Sequence, residues 1–143
     1  MVPSTSEWPV KLLAAFVGEA SDAQLERRFG SRAAQLALFE GMARAFDPSA
    51  ARAFEGRIVY ELTRPATGAP TRFWTIEVSD RRAVARRGAS EGAKLTLSFQ
   101  LADFMRVAAG RLDPLVPVLQ GRASVRGDFA LATRLPQMFG SGH

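Results

Sequence analysis

Glu61 and Glu77 are the two carboxylates whose placement invites a chemical reading. Each sits in a run of alternating polar and apolar residues, and if those runs pair as neighbouring strands, both side chains lie on the same outer face. Paired carboxylates can divide into a general acid and a general base. A solvated face is the competing reading, because Arg57 and Arg72 lie on the same runs and could pair with them. Arg81, Arg82, Arg86 and Arg87 form a basic cluster that could clamp an anionic headgroup or simply coat an exposed hairpin. The fragment GASEG, residues 88–92, is a loop signal, since no glycine pattern follows a strand and opens a helix there as a phosphate cradle requires.

What the chain lacks narrows the chemistry further. There is no cysteine, and His143, the last residue, is the only histidine. Ser-His-Asp and Cys-His nucleophiles, imidazole proton shuttles, thiolate or histidine metal sites and a disulfide framework are thereby excluded. An enzyme would have to work with carboxylates, Tyr60, lysine or arginine alone. No cofactor or metal is expected, and the absence of cysteine makes the cytoplasm the default compartment.

The elements that must position any site follow from periodicity. Residues 94–129 read as strand, short helix, short helix, strand. Leu95, Leu97 and Phe99 alternate with Lys94, Thr96 and Ser98, the period of a strand with one buried face. From Leu101 the period changes: Leu101, Phe104, Met105 and Ala108 fall on one helical stripe, and Gly110 follows as a stop. Asp113 and Pro114 cap a second short helix carrying Leu115, Val116, Val118 and Leu119, and Gly121 ends it before alternation resumes at 122–128.

Upstream, Trp8, Leu12, Leu13 and Phe16 could share one helical face, and Ser21 with Gln24 has the spacing of a capping box. Ser31 caps an apolar helix over 32–46, whose Leu36, Leu38, Phe39, Met42, Ala43 and Phe46 cover more than one stripe. Residues 55–64 place Ile58, Tyr60 and Leu62 on one face. A partner strand over 71–79 places Trp74, Ile76 and Val78 on a single face, and matching the inward faces sets Tyr60 opposite Trp74. A third strand over 82–88 is poor in large apolar residues, which suits an edge, and residues 129–139 close the chain with an apolar segment interrupted by Pro136.

The 143 residues suit a single core with an extension: residues 1–30 as an N-terminal helical extension and 31–143 as the domain proper. Composition is 47% hydrophobic and 23% charged, ordinary for a globular domain. The longest apolar runs are far short of the roughly 20 residues a membrane-spanning helix needs, and Glu7 and Trp8 stand where a secretion signal would be basic and then apolar. The net charge of +5 comes almost wholly from arginine. No nucleic-acid module accompanies it, so no nucleic-acid partner is expected.

The segments LTLSFQLADFMRVAAGRLDP (95–114) and LQGRASVRGDFALATRL (119–135) resemble the C-terminal half of the sterol carrier protein type 2 family. There a strand, a helix ending at a glycine turn and a glycine-flanked strand recur in this order. The match extends through LFEGMARAFDP (38–48) and FEGRIVYELT (54–63), covering 36–139. The resemblance implies a non-enzymatic α+β protein: a mainly antiparallel five-stranded sheet with helices packed on one face, enclosing a hydrophobic tunnel. Its ligands would be fatty acids, fatty acyl-CoA, sterols or similar apolar molecules, bound and transferred by a monomer with transient membrane-surface contact. The large apolar side chains become the expected lining: Phe39, Met42 and Phe46; Trp74, Ile76, Leu97 and Phe99; Phe104, Met105, Leu115, Val116 and Leu119; Leu131, Leu135, Met138 and Phe139. Arg106 or Arg111 could receive a carboxylate at the mouth. The alternative is an interaction module that uses the same groove for a partner helix or for its own N-terminal helix.

Overall fold

The computed structural model describes residues 17–139. The expected helical face of Trp8, Leu12, Leu13 and Phe16, and His143, lie outside the described residues. The element order is α1 (Asp22–Arg28), α2 (Arg32–Arg44), β1 (Gly56–Arg64), β2 (Ala69–Ser79), β3 (Arg82–Arg87), β4 (Leu95–Gln100), α3 (Leu101–Ala108), α4 (Leu115–Leu119), β5 (Ser124–Gly127) and α5 (Phe129–Met138). The capping box at Ser21 and Gln24 closes in both directions, at 3.2 and 2.9 Å. Ser31 caps α2 through the Ala34 amide, and Asp128 caps α5 through the Leu131 amide.

The five strands form one sheet in the order β3-β2-β1-β4-β5. Tyr60 faces Trp74 across the β1–β2 pair, as matching the apolar faces requires. At the next turn Asp80 and Arg81 both have positive φ, 50° and 62°, so a two-residue connection joins Ser79 to Arg82 with the twist that suits an antiparallel hairpin.

The expectation of a mainly antiparallel sheet is corrected: the sheet is mixed, because β4 pairs with β1 in parallel, Tyr60 beside Leu97. The cause is the path of residues 88–94. After β3 the chain leaves the edge and passes over the outer face of β2 and β1 to enter beside β1. Along this path Thr75 donates to Gly88 O at 2.8 Å, Ser90 donates to Thr75 Oγ1 at 3.1 Å and Arg57 donates to Glu91 O at 3.3 Å. These contacts account for the burial of Val59 and Thr75 on a face that otherwise carries charge. The segment has no helical or strand period, so nothing local marks the crossover.

The core lies on the other face. Ile58, Tyr60, Leu62, Trp74, Ile76, Val78, Leu95, Leu97 and Phe99 point to one side of the sheet and are buried under the helices. Leu25 of α1 and Val17 belong to the same core.

Candidate functional site

An aromatic layer between sheet and helices is the centre of the candidate site. Phe39 of α2 stacks on Trp74 with centroids 5.2 Å apart, lies edge-on to Tyr60 at 5.2 Å and stacks on Phe104 of α3 at 5.5 Å. Phe99 closes the group against Phe104 at 6.3 Å. Gln35, one helical turn before Phe39, accepts the Trp74 Nε1–H at 2.9 Å and donates to Phe29 O at 3.1 Å. One buried amide thus fixes both the indole and the α1–α2 connection. Burial in this layer pushes the Tyr60 phenol far above its ordinary pKa, so it stays neutral and is no base.

The sixteen expected lining residues separate into three groups. Phe39, Trp74, Ile76, Leu97, Phe99, Phe104, Met105, Leu131, Met138 and Phe139 are buried and packed together. Met42, Phe46 and Leu135 are partly buried against that core, with Phe46 and Phe139 in ring contact at 5.5 Å. Leu115, Val116 and Leu119 are on α4 and face outward, Leu115 62% and Leu119 82% exposed. Phe129, at the start of α5, is 61% exposed and was not singled out from sequence. Its position directly after the Asp128 cap gave it no partner in a periodic stripe.

No tunnel is shown between sheet and helices among the described residues; Phe39 occupies the layer where it would run. A cleft of about 480 Å³ opens instead at the β2–β3 turn, lined by Phe46, Pro48, Ala51, Phe54, Glu55, Asp80 and Arg81 among others. Of the expected lining set it includes Phe46 alone.

The two candidate carboxylates both sit in structural ion pairs. Glu77 receives Arg57 Nε at 2.9 Å and Arg86 Nη2 at 3.5 Å, and the Arg57 hydrogen bond holds its carboxyl below the usual range. Glu61 pairs with Arg126 at 3.5 Å. Arg72 pairs with neither, because it is in phase with Trp74 and lies on the opposite face. Arg106, expected at a mouth, is committed elsewhere: it pairs with Asp22 at 2.7 Å and Asp103 at 3.7 Å and donates to Ala20 O at 3.2 Å. The buried Asp103 also receives Arg122 Nε at 3.1 Å. This network ties α1, α3 and the turn before β5 together. Among the described residues, no group of three His, Cys, Asp or Glu could hold a metal ion, and no helix is long and apolar enough to cross a membrane.

Comparison with known proteins places this architecture. A hydroxysteroid dehydrogenase-like protein 2 from Xenopus laevis is 23% identical over 103 residues, covering 71% of this chain but only 24% of that protein. The sec-alkylsulfatase Pisa1 from Pseudomonas sp. contains the same fold, with a TM-score of 0.62 at 15% identity over 73% of this chain and 16% of the sulfatase. This chain therefore spans a quarter or less of either protein. Sterol carrier protein 2 like 2 from Aedes aegypti is similar nearly end to end, with a TM-score of 0.55 at 20% identity over 70% of this chain and 90% of that one. The model of the SCP-2 sterol transfer family matches residues 38–140. With most of its length inside that match, the chain belongs to the SCP-2 sterol transfer family.

Proposed function

We propose that this protein is a non-enzymatic carrier of long apolar molecules such as fatty acids, fatty acyl-CoA esters or sterols, held between the inner face of the sheet and its helices. Family membership supports lipid binding or transfer in general. The observation that carries the reading within this chain is the exposed apolar surface around β5: Leu115, Val116 and Leu119 on α4 lead into that strand and Phe129 leads out of it. Large apolar side chains left in water have a cost that a ligand or a membrane surface would relieve. In the core, Met105 and Met138 are unbranched, flexible side chains suited to repacking, and Leu135 is only partly buried against them. We infer that a ligand enters beside α4, displacing Phe104 and Phe39 from their stack. Burying on the order of 400 Å² of acyl chain contributes about 10 kcal/mol before ordering costs are subtracted, so no polar key is required.

Residues 1–30 form an extension on a domain of 31–143, the protein acts as a cytoplasmic monomer, and α4 touches membranes transiently. The solution structure of a palmitated form of the Aedes aegypti relative makes a fatty acid the natural first ligand. The test is uptake of a fluorescent fatty acid by the full chain and its displacement by palmitate, palmitoyl-CoA and cholesterol. Saturable uptake with displacement supports a carrier, and no uptake refutes it.

The tight packing at Phe39 favours a second reading, in which the groove accepts a partner helix or the chain's own N-terminal segment. Removing residues 1–16 separates the two, because affinity for the probe rises if that segment is a plug. Truncation to residue 30 would not serve, since it deletes the core residue Leu25.

A further inference from the structure

Away from the cleft, Arg64 and Arg72 on the β1–β2 hairpin and Arg32 at the start of α2 lie within reach of one another's charge, with no acid ion-paired to them among the described residues. Arg64, 8% exposed, donates Nε and Nη2 to Pro70 O at 2.8 and 2.6 Å and Nη1 to Gly30 O at 3.2 Å. Gly30 permits this approach: a Cβ there would lie 3.1 Å from Arg64 Nη1 and collide with Glu26 O. Arg72 follows Pro70 by two residues, and its Nη1 is buried with no hydrogen-bond partner among the described residues. Arg32 follows Gly30 by two residues and opens α2, whose cap Ser31 serves the Ala34 amide. Burial and the charges of Arg64 and Arg32 depress the Arg72 pKa. The buried Glu26 turns its carboxylate to the hairpin loop, accepting from Ala66 N at 3.0 Å, Thr67 N at 2.9 Å and Thr67 Oγ1 at 2.7 Å. Among the described residues, no carboxylate forms an ion pair with any of the three arginines.

An orphaned guanidinium N–H and unrelieved like charge are separate costs, and one bound anion removes both. A carboxylate can satisfy one guanidinium fork. A phosphate presents a second negative charge and oxygens in three directions, which suits three guanidiniums and the positive end of a helix. We propose that Arg32, Arg64 and Arg72 form a binding site for a phosphate group, carried by a lipid headgroup or present as free phosphate. Arg32 is exposed and Arg72 half-buried, so solvent reaches two of the three side chains. The site does not depend on a cavity between sheet and helices and so goes beyond the carrier reading.

The test is calorimetric titration of the full chain with inorganic phosphate at low ionic strength, with sodium chloride at matched ionic strength as control. Saturable binding of one phosphate per chain is expected, with Kd raised about tenfold or more in Arg72→Met, the loss of one charge-assisted hydrogen bond. Arg72 Nη1 has no partner to lose among the described residues, so Arg72→Met in phosphate-free buffer keeps its melting temperature or gains. Added phosphate raises the melting temperature of the original chain and not of the variant. Monomeric dodecyl phosphate distinguishes the sources: tighter binding than inorganic phosphate assigns a lipid headgroup, and equal binding assigns free phosphate. Absence of saturable binding, or equal Kd in Arg72→Met, overturns the proposal. Cholesterol uptake, unchanged in Arg72→Met, tests the carrier reading separately.

Discussion

Phe39 and Trp74 stack with centroids 5.2 Å apart and planes 14° from parallel, and Gln35 on the same helix holds the indole N–H at 2.9 Å. A helix residue and a strand residue are thus fixed by dispersion and by one buried hydrogen bond in the layer between sheet and helices. Phe39→Ala is expected to lower stability by about 3–5 kcal/mol through lost burial and a residual cavity. Gln35→Ala orphans the Trp74 donor and costs about 1–3 kcal/mol. Urea unfolding followed by circular dichroism measures both.

The exposed apolar helix α4 behaves differently from this core. Leu119 is 82% exposed, so Leu119→Asp changes unfolding free energy by less than about 0.5 kcal/mol. If ligand enters beside α4, the same substitution slows uptake of a fluorescent fatty acid and weakens contact with vesicles. Unaltered uptake would place the entrance elsewhere.

Glu77 gives the pH dependence. Its carboxyl is held low by Arg57 and Arg86, so its contribution is complete above the unfolded-state value of about 4.3 and is lost as pH falls through the lower folded value. In Glu77→Gln the melting temperature is reduced at neutral pH, and the difference from the original chain narrows in acid. Melting curves across that acid range check the sign.

Tyr60 is the only tyrosine, and burial raises its pKa. Its neutral form is favoured by folding, so the contribution is present below the unfolded value of about 10 and is lost as pH rises above it. An ultraviolet titration should show no phenolate at that pH while the chain is folded. Ionisation that tracks unfolding is expected; ordinary titration in the folded chain would mean that Tyr60 is in water.

Much of the fold was legible because the face-setting residues are periodic. Ile58, Tyr60 and Leu62 against Trp74, Ile76 and Val78 fixed the β1–β2 register, and Ser21, Ser31 and Asp113 marked turns and helix starts through short-range chemistry. The parallel β1–β4 pair was not legible, since residues 88–94 cross the sheet on hydrogen bonds to Thr75 and Arg57 that no local pattern encodes. Arg72 shares its strand with Glu77, which invites a pairing, although counting in steps of two from Trp74 puts it on the inner face. Apolar type also could not separate Phe104, stacked under Phe39 of α2, from Leu119, which none of the described elements covers. That difference depends on tertiary contacts alone.

Native mass spectrometry of the full chain, as purified and after incubation with palmitate or cholesterol, tests the carrier assignment most directly. An adduct of one lipid per chain is expected, retained in Leu119→Asp once equilibrium is reached and lost when the chain is unfolded. A chain that stays free of lipid under all of these conditions would contradict the assignment.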